Sequence, residues 1–189
     1  MTALVLPRIN VSSDYIDSTT NAIKTIDYEH KEIHSGSHYF VKGFISIPAL
    51  NDVLDMTFQM PDTARWLHWT WEIWYSKDLT WYIYEDAVAT NALANTATIF
   101  NSNRNSSNTS GAVLKYEVQD DLEAANDDTA VGSATLLETG RQGDNRTSGD
   151  SRRSNELILK QGSMYCLRAV ASAATVLDFR MDWYEHVNR

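Results

Sequence analysis

From Ile26 onward the apolar residues recur at every second position, the period of a strand with one buried face. Tyr39, Val41, Ile45 and Ile47 alternate with His38, Lys42 and Ser46, although Phe40 and Phe44 intrude on the polar side. Leu54, Met56, Phe58 and Met60 alternate with Asp55, Thr57 and Gln59. Leu67, Trp69, Trp71, Ile73 and Tyr75 stand against His68, Thr70, Glu72 and Trp74. Leu114, Tyr116 and Val118 stand against Lys115 and Glu117, and Leu177, Phe179, Met181 and Trp183 against Asp178, Arg180 and Asp182. Turn-forming clusters separate the runs: Ser35-Gly36-Ser37, Pro48 to Asp52, Pro61-Asp62-Thr63, Ser76-Lys77-Asp78 and Gln161-Gly162-Ser163. Strands are expected near 26–33, 37–47, 53–60, 65–75, 79–86, 112–119, 155–161, 163–171 and 175–187. Short strands, tight turns and almost no helical period predict an all-β chain, a jelly-roll-like antiparallel β-sandwich of about eight strands. An immunoglobulin-like sandwich fits less well, because the Cys…Trp…Cys spacing is absent.

Other stretches fall outside this pattern. Residues 1–25 show no apolar period and read as an extended N-terminal arm, preceding a single β-sandwich domain at 26–189. Ala87 to Thr98 reads as a short helix or a loop. The polar runs Asn101 to Gly111 and Gly140 to Ser154 read as long loops, which in compact domains tend to carry function or subunit contacts.

Composition narrows the function. The chain has 189 residues, 43% hydrophobic, with 16 Lys+Arg against 25 Asp+Glu and a net charge of −9. Acidity on this scale argues against nucleic-acid binding, which depends on neutralising phosphates, and against docking on anionic membrane. No stretch approaches the ~20 apolar residues of a membrane span, and Met1 to Arg8 does not read as a secretory signal. The lone Cys166 allows no intrachain disulfide, and its place in a strand predicts a buried, inert thiol.

Candidate chemistry is sparse. His30, His34 and His38 are spaced by four, but Ser35-Gly36 interrupts a helix and Tyr28 to Ile33 reads as a strand, so no metal site is expected. Asp120, Asp121, Glu123, Asp127 and Asp128 form an acidic cluster without the spacing of a calcium loop. Five of the six tryptophans lie between Trp66 and Tyr84. On Leu79 to Tyr84, Leu79, Trp81 and Ile83 point one way and Thr80, Tyr82 and Tyr84 the other, so one face fills a core and the other is open to sugar rings or a partner chain. Arg141, Arg146, Arg152, Arg153 and Lys160 form a basic segment after the acidic stretch Glu117 to Asp128, either a solvated loop or a complementary contact. No nucleophile elbow, phosphate loop or zinc-protease motif occurs, so neither enzyme activity nor a cofactor is expected.

The run Ile26-Asp-Tyr-Glu-His-Lys-Glu-Ile-His-Ser-Gly-Ser-His-Tyr-Phe40, the loop Asn101-Ser-Asn-Arg-Asn-Ser-Ser-Asn-Thr-Ser-Gly111 and the ending Asp182-Trp-Tyr-Glu-His186 resemble tailed-bacteriophage virion structural proteins. The resemblance runs from about Ile26 to Asn188 and transfers no catalytic or ligand residue. It implies a capsid decoration or cement protein: made in the host cytoplasm, homotrimeric, and bound to the major capsid protein on the virion surface. Leu4, Leu6, Pro7, Ile9, Tyr15 and Ile16 of the arm, with Arg141, Arg146, Arg152 and Arg153, are then the expected partner-binding residues. The alternative is a glycan-binding β-sandwich module of a head fibre or receptor-binding protein.

Overall fold

The computed structural model describes residues 28–89, 93–120, 129–142, 148–151 and 156–187. In chain order the elements are α1 (Tyr28–Ser35), β1 (His38–Ile47), β2 (Val53–Gln59), β3 (Arg65–Tyr75), β4 (Leu79–Glu85), β5 (Val88–Ala89), β6 (Asn95–Thr96), β7 (Phe100–Asn101), β8 (Val113–Gln119), β9 (Thr129–Ala130), β10 (Thr135–Gln142), β11 (Ser148–Ser151), β12 (Leu157–Leu159), β13 (Met164–Ala171) and β14 (Thr175–Val187). Two antiparallel sheets face each other. The first runs β11-β3-β14-β1-β7, with β12 also pairing β3; the second runs β10-β4-β13-β2-β8-β6. The strands β1 to β4 alternate between the sheets, as do β13 and β14: β1, β3 and β14 lie in the first, β2, β4 and β13 in the second. The connection from β4 to β10 widens both sheets, adding β7 beside β1 and β8 with β6 beside β2.

The alternation read from the sequence is what fills the space between the sheets. Trp69, Trp71, Ile73, Leu177, Phe179, Met181 and Trp183 meet Leu54, Met56, Phe58, Leu79, Trp81, Ile83 and Leu167 in one core. Trp71 and Trp81 touch edge to face across it, ring centroids 4.8 Å apart. Room for Trp81 comes from Gly140, where a Cβ would sit 2.6 Å from the indole ring.

Four expectations need correction. Residues 28–35 form a helix where a strand was expected. Gly36 ends that helix instead of preventing it: at φ +73° it takes the left-handed position after the last turn. Its N–H bonds Ile33 O at 3.0 Å, and Ser37 N–H bonds Glu32 O at 2.9 Å, which satisfies the last carbonyls. The polar side of β2 is not wet, since Asp55 and Thr57 are buried along with their apolar neighbours. The run from Gly140 is not all loop, because β10 extends to Gln142 and Ser148–Ser151 pairs with β3. Of Ala87 to Thr98, the described residues hold the short strands β5 and β6 and no helix. The arm at 1–25 lies outside the described residues.

Candidate functional site: the outer face and open edge of the first sheet

β1 pairs with β14 along its whole length, from His38 opposite Tyr184 to Ile47 opposite Thr175. On its other side only Tyr39 and Phe40 are paired, with β7. Among the described residues, Val41 to Ile47 therefore present an open strand edge, with main-chain groups able to pair with a further extended chain. A groove of about 270 Å³ runs along this edge, bounded by Val41 to Ile45 on one side and Thr96, Ala97 and Thr98 on the other, with Phe179 and Tyr116 also lining it.

The outward side chains next to the groove are mixed, with Lys42 and Ser46 exposed on either side of Phe44 along β1. Phe44 and Trp74 stand opposite Asp178 from its two neighbouring strands. Phe44 is 79% exposed, and Val176 and Trp74 are exposed beside it. An exposed phenyl ring of this kind marks a contact surface when it has apolar neighbours on the same face.

Further along the face the packing is polar and ordered. Phe40 stacks on Phe100 at 5.5 Å, and the Arg180 guanidinium lies 5.5 Å above the Phe40 ring. Arg180 is held by Asp182 through Nε at 2.6 Å and Nη2 at 2.7 Å. His38 shares a hydrogen bond with Ser102 Oγ through Nδ1 at 2.7 Å, and its Nε2 lies 3.5 Å from Glu29 of α1. Burial pushes the His38 pKa below its ordinary value, against the pull of Asp182 and Glu29 and with the help of Arg180.

At the far end His68, Tyr184, His186 and Glu156 converge. Tyr184 and His68 stack at 4.5 Å with their planes 17° apart. His68 Nδ1 lies 2.8 Å from Glu156 Oε1, and the Tyr184 hydroxyl donates to Glu156 Oε2 at 2.7 Å. His186 Nε2 sits 2.8 Å from His68 Nε2.

The second sheet turns a different surface outward. Asp55 and Arg168 form a buried ion pair there, and Arg168 Nη2 also donates to Thr129 O at 2.7 Å in β9. The connection from β4 to β10 thus covers this face. Cys166 is buried beside the pair, as the strand pattern predicts, and its thiol donates to Asp55 Oδ1 at 3.8 Å.

Of the expected partner-binding residues, Leu4, Leu6, Pro7, Ile9, Tyr15, Ile16, Arg146, Arg152 and Arg153 lie outside the described residues. Arg141 is described: its side chain is 67% exposed, and it reaches Asp78 at 3.3 Å in the turn before β4. Lys160 pairs with Asp86 at 2.6 Å. Neither contact is with the acidic stretch, most of which is also outside the described residues. Four tryptophans, Trp69, Trp71, Trp81 and Trp183, are in the core. Trp66 and Trp74 are each 38% exposed, at opposite ends of β3 and about 26 Å apart at ~3.3 Å per residue. His30 and His34 share one face of α1 with their Nε2 atoms 3.0 Å apart, whereas His38 is engaged elsewhere. Among the described residues no three His, Cys, Asp or Glu side chains group as metal ligands, and no helix is long and apolar enough to cross a membrane. The outward phenyl ring of Phe44 had a signal in the sequence, as an apolar residue on the polar side of its strand; the open edge beside it had none. In comparisons with known proteins, no family model, no curated protein and no solved structure matches the chain.

Proposed function

We propose that this protein is a non-enzymatic structural component of a phage particle, a homotrimeric decoration or cement protein that binds the major capsid protein and stabilises the head. The observation that carries this reading is the open edge of β1 with the groove along it and the exposed Phe44 beside it. A free strand edge is a template for strand addition: the main chain supplies affinity and side-chain pockets supply specificity. The arm carries a short apolar run in its sequence, Leu4-Val5-Leu6, that ends at Pro7. An arm donated by one copy to the β1 edge of the next closes a ring, in which modest contacts act together. The surface of Phe44, Trp74 and Val176 is then left for the capsid protein.

The strand order supports the same reading. We read the alternation of β1 to β4 and of β13 and β14 between the sheets as a jelly roll, an architecture found in viral capsid and lectin domains. Fold alone does not assign function, so the weight rests on the edge. The glycan-binding alternative draws on the outward face of β4, where Tyr82 and Tyr84 stack at 6.0 Å but are only half-exposed, while the exposed Trp66 and Trp74 stand too far apart along β3 to share a platform for one sugar chain.

Deletion of residues 1–25 tests the proposal. The truncated chain is expected to keep its β-sheet circular dichroism, to sediment as a monomer, and to bind shells of the cognate major capsid protein more weakly. Undiminished binding by the truncated chain overturns the assignment of the arm. A glycan array with specific hits and no shell binding by the full chain replaces it with the alternative.

A further inference from the structure

We propose that the strand filling the open edge of β1 is Ile9 to Tyr15 of a neighbouring copy, run antiparallel, with Ser13 opposite Gly43 and Asp14 opposite Lys42. It rests on the donated-arm reading above and names the segment and its register. Ser102 N–H bonds His38 O at 2.9 Å on the β7 side, whereas Glu185 N–H bonds Ser37 O at 2.9 Å on the β14 side. Main-chain groups change sides at each residue of a strand, so Lys42, Phe44 and Ser46 turn their N–H and C=O groups to the open edge. β7 fills the row beside β1 only at Tyr39 and Phe40. The stretch before β7 belongs to the second sheet: Ala97 N–H bonds Leu114 O, and Asn95 and Thr96 pair with β8. Among the described residues the row beside Val41 to Ile47 is therefore vacant.

Size and charge select the segment. The inward positions along this edge are Val41, Gly43, Ile45 and Ile47. Phe179, directly opposite Gly43 on β14, takes the space that a side chain there would need: an added Cβ would lie 3.3 Å from its ring, which also lines the groove. A strand added here needs a small inward residue opposite Gly43 and apolar ones at the other inward positions. Pro7 stops the Leu4-Val5-Leu6 run short, because proline has no N–H for a ladder. The segment after it, Ile9-Asn-Val-Ser-Ser-Asp-Tyr15, meets the need. Run antiparallel, it sets Tyr15 against Val41, Ser13 against Gly43, Val11 against Ile45 and Ile9 against Ile47. Asn10, Ser12 and Asp14 then face outward opposite Ser46, Phe44 and Lys42, and the pairing of Asp14 with Lys42 favours this register. The arm lacks a continuous apolar period because its third inward residue is Ser13, at the place where β1 carries a glycine. Tyr15 stands 13 positions before Tyr28, up to about 43 Å of chain at ~3.3 Å per residue, enough to reach an adjacent copy.

The test is disulfide trapping in the full chain. Residues facing each other in an antiparallel ladder have Cα atoms ~4.5–5.5 Å apart, within reach of a disulfide. Ser12→Cys/Phe44→Cys is expected to oxidise to a covalently closed trimer on a non-reducing gel. The shifted pairs Asn10→Cys/Phe44→Cys and Asp14→Cys/Phe44→Cys should close much more slowly. Faster closure of a shifted pair overturns the register and leaves arm donation standing. A cross-linked monomer overturns donation between copies. No cross-link from any of the three pairs overturns the proposal and the donated-arm reading together. If the cysteine variants do not fold, amide exchange in the native chain decides. The Lys42, Phe44 and Ser46 amides should be protected, and Ser12→Pro, which removes the N–H facing Phe44 O, should speed their exchange roughly tenfold or more. Exchange unchanged by Ser12→Pro overturns the proposal.

Discussion

Arg168 grips Asp55 with two parallel hydrogen bonds, Nε to Oδ1 at 2.8 Å and Nη2 to Oδ2 at 2.7 Å, and both side chains are buried. The pair lies on the outer face of the second sheet, where β2 and β13 run side by side with these two residues in register. Its third bond, to Thr129 O, ties down the connection that covers the face. Removing one partner leaves the other charge buried without compensation. Asp55→Ala is expected to cost about 3–5 kcal/mol, whereas Asp55→Leu combined with Arg168→Met should recover most of that loss. Urea denaturation of the three proteins checks both statements.

Gly140 faces Trp81 across the β10–β4 ladder, and an added Cβ would lie 2.6 Å from the indole. The ring cannot retreat, since Trp71 holds it edge-on from the opposite sheet. Gly140→Ala should therefore destabilise by about 1–3 kcal/mol through overpacking. A lowered urea midpoint with a changed tryptophan emission spectrum is the expected result.

Glu185 continues the inward-facing side of β14 and collects donors from the end of the 101–111 loop. Its Oε1 accepts from Ser110 Oγ at 2.5 Å, from Gly111 N–H at 3.2 Å and from Trp183 Nε1–H at 3.2 Å. Glu185→Ala strands these donors and should cost about 1–3 kcal/mol. Glu185→Gln keeps one carbonyl oxygen for them and should cost less. Hydrogen exchange at the Gly111 amide should quicken in the Ala variant well before the core amides respond.

Period-two alternation is a local property, and the elements built on it were legible. The inward and outward positions of Leu79 to Tyr84 and of Leu177 to Trp183 are those the sequence pattern predicts. What could not be read depends on residues far apart in the chain. Asp55 looks solvated until Arg168, 113 positions later, is brought over it. Gly140 looks like loop punctuation until Trp81 is seen to need its space. The helix at α1 was hidden because Gly36, read as a breaker, is its C-terminal cap. The His68–His186 pair spans 118 positions and has no spacing to find.

His38 makes stability depend on pH. Burial lowers its pKa below the ordinary 6.5, while Asp182 and Glu29 pull it up and Arg180 pushes it down. An unfolded chain keeps the ordinary value, so between the two values the unfolded state binds more protons and stability rises with pH. The contribution is complete above about pH 6.5 and is lost as pH falls through the lowered folded value. Denaturation midpoints measured from pH 8 down to pH 5 should decline more steeply for the native chain than for His38→Gln, which has no imidazole to protonate.

Phe44 separates folding from adhesion. Its ring points away from the core and is 79% exposed, so Phe44→Asp removes no buried contact and should cost only about 1 kcal/mol, from a poor strand residue set opposite Asp178. The same change places a carboxylate directly opposite Asp178, beside the exposed Trp74 and Val176. A partner docking there would have to desolvate two neighbouring anions in place of a phenyl ring, and like charges side by side on a sheet repel. Binding to capsid shells should therefore fall at least tenfold in a chain that keeps its β-sheet circular dichroism and a cooperative urea transition. Trp74→Ala, which thins the patch without adding charge, should give a smaller loss. Shell binding by Phe44→Asp equal to that of the native chain would move the adhesive surface away from this end of the sheet.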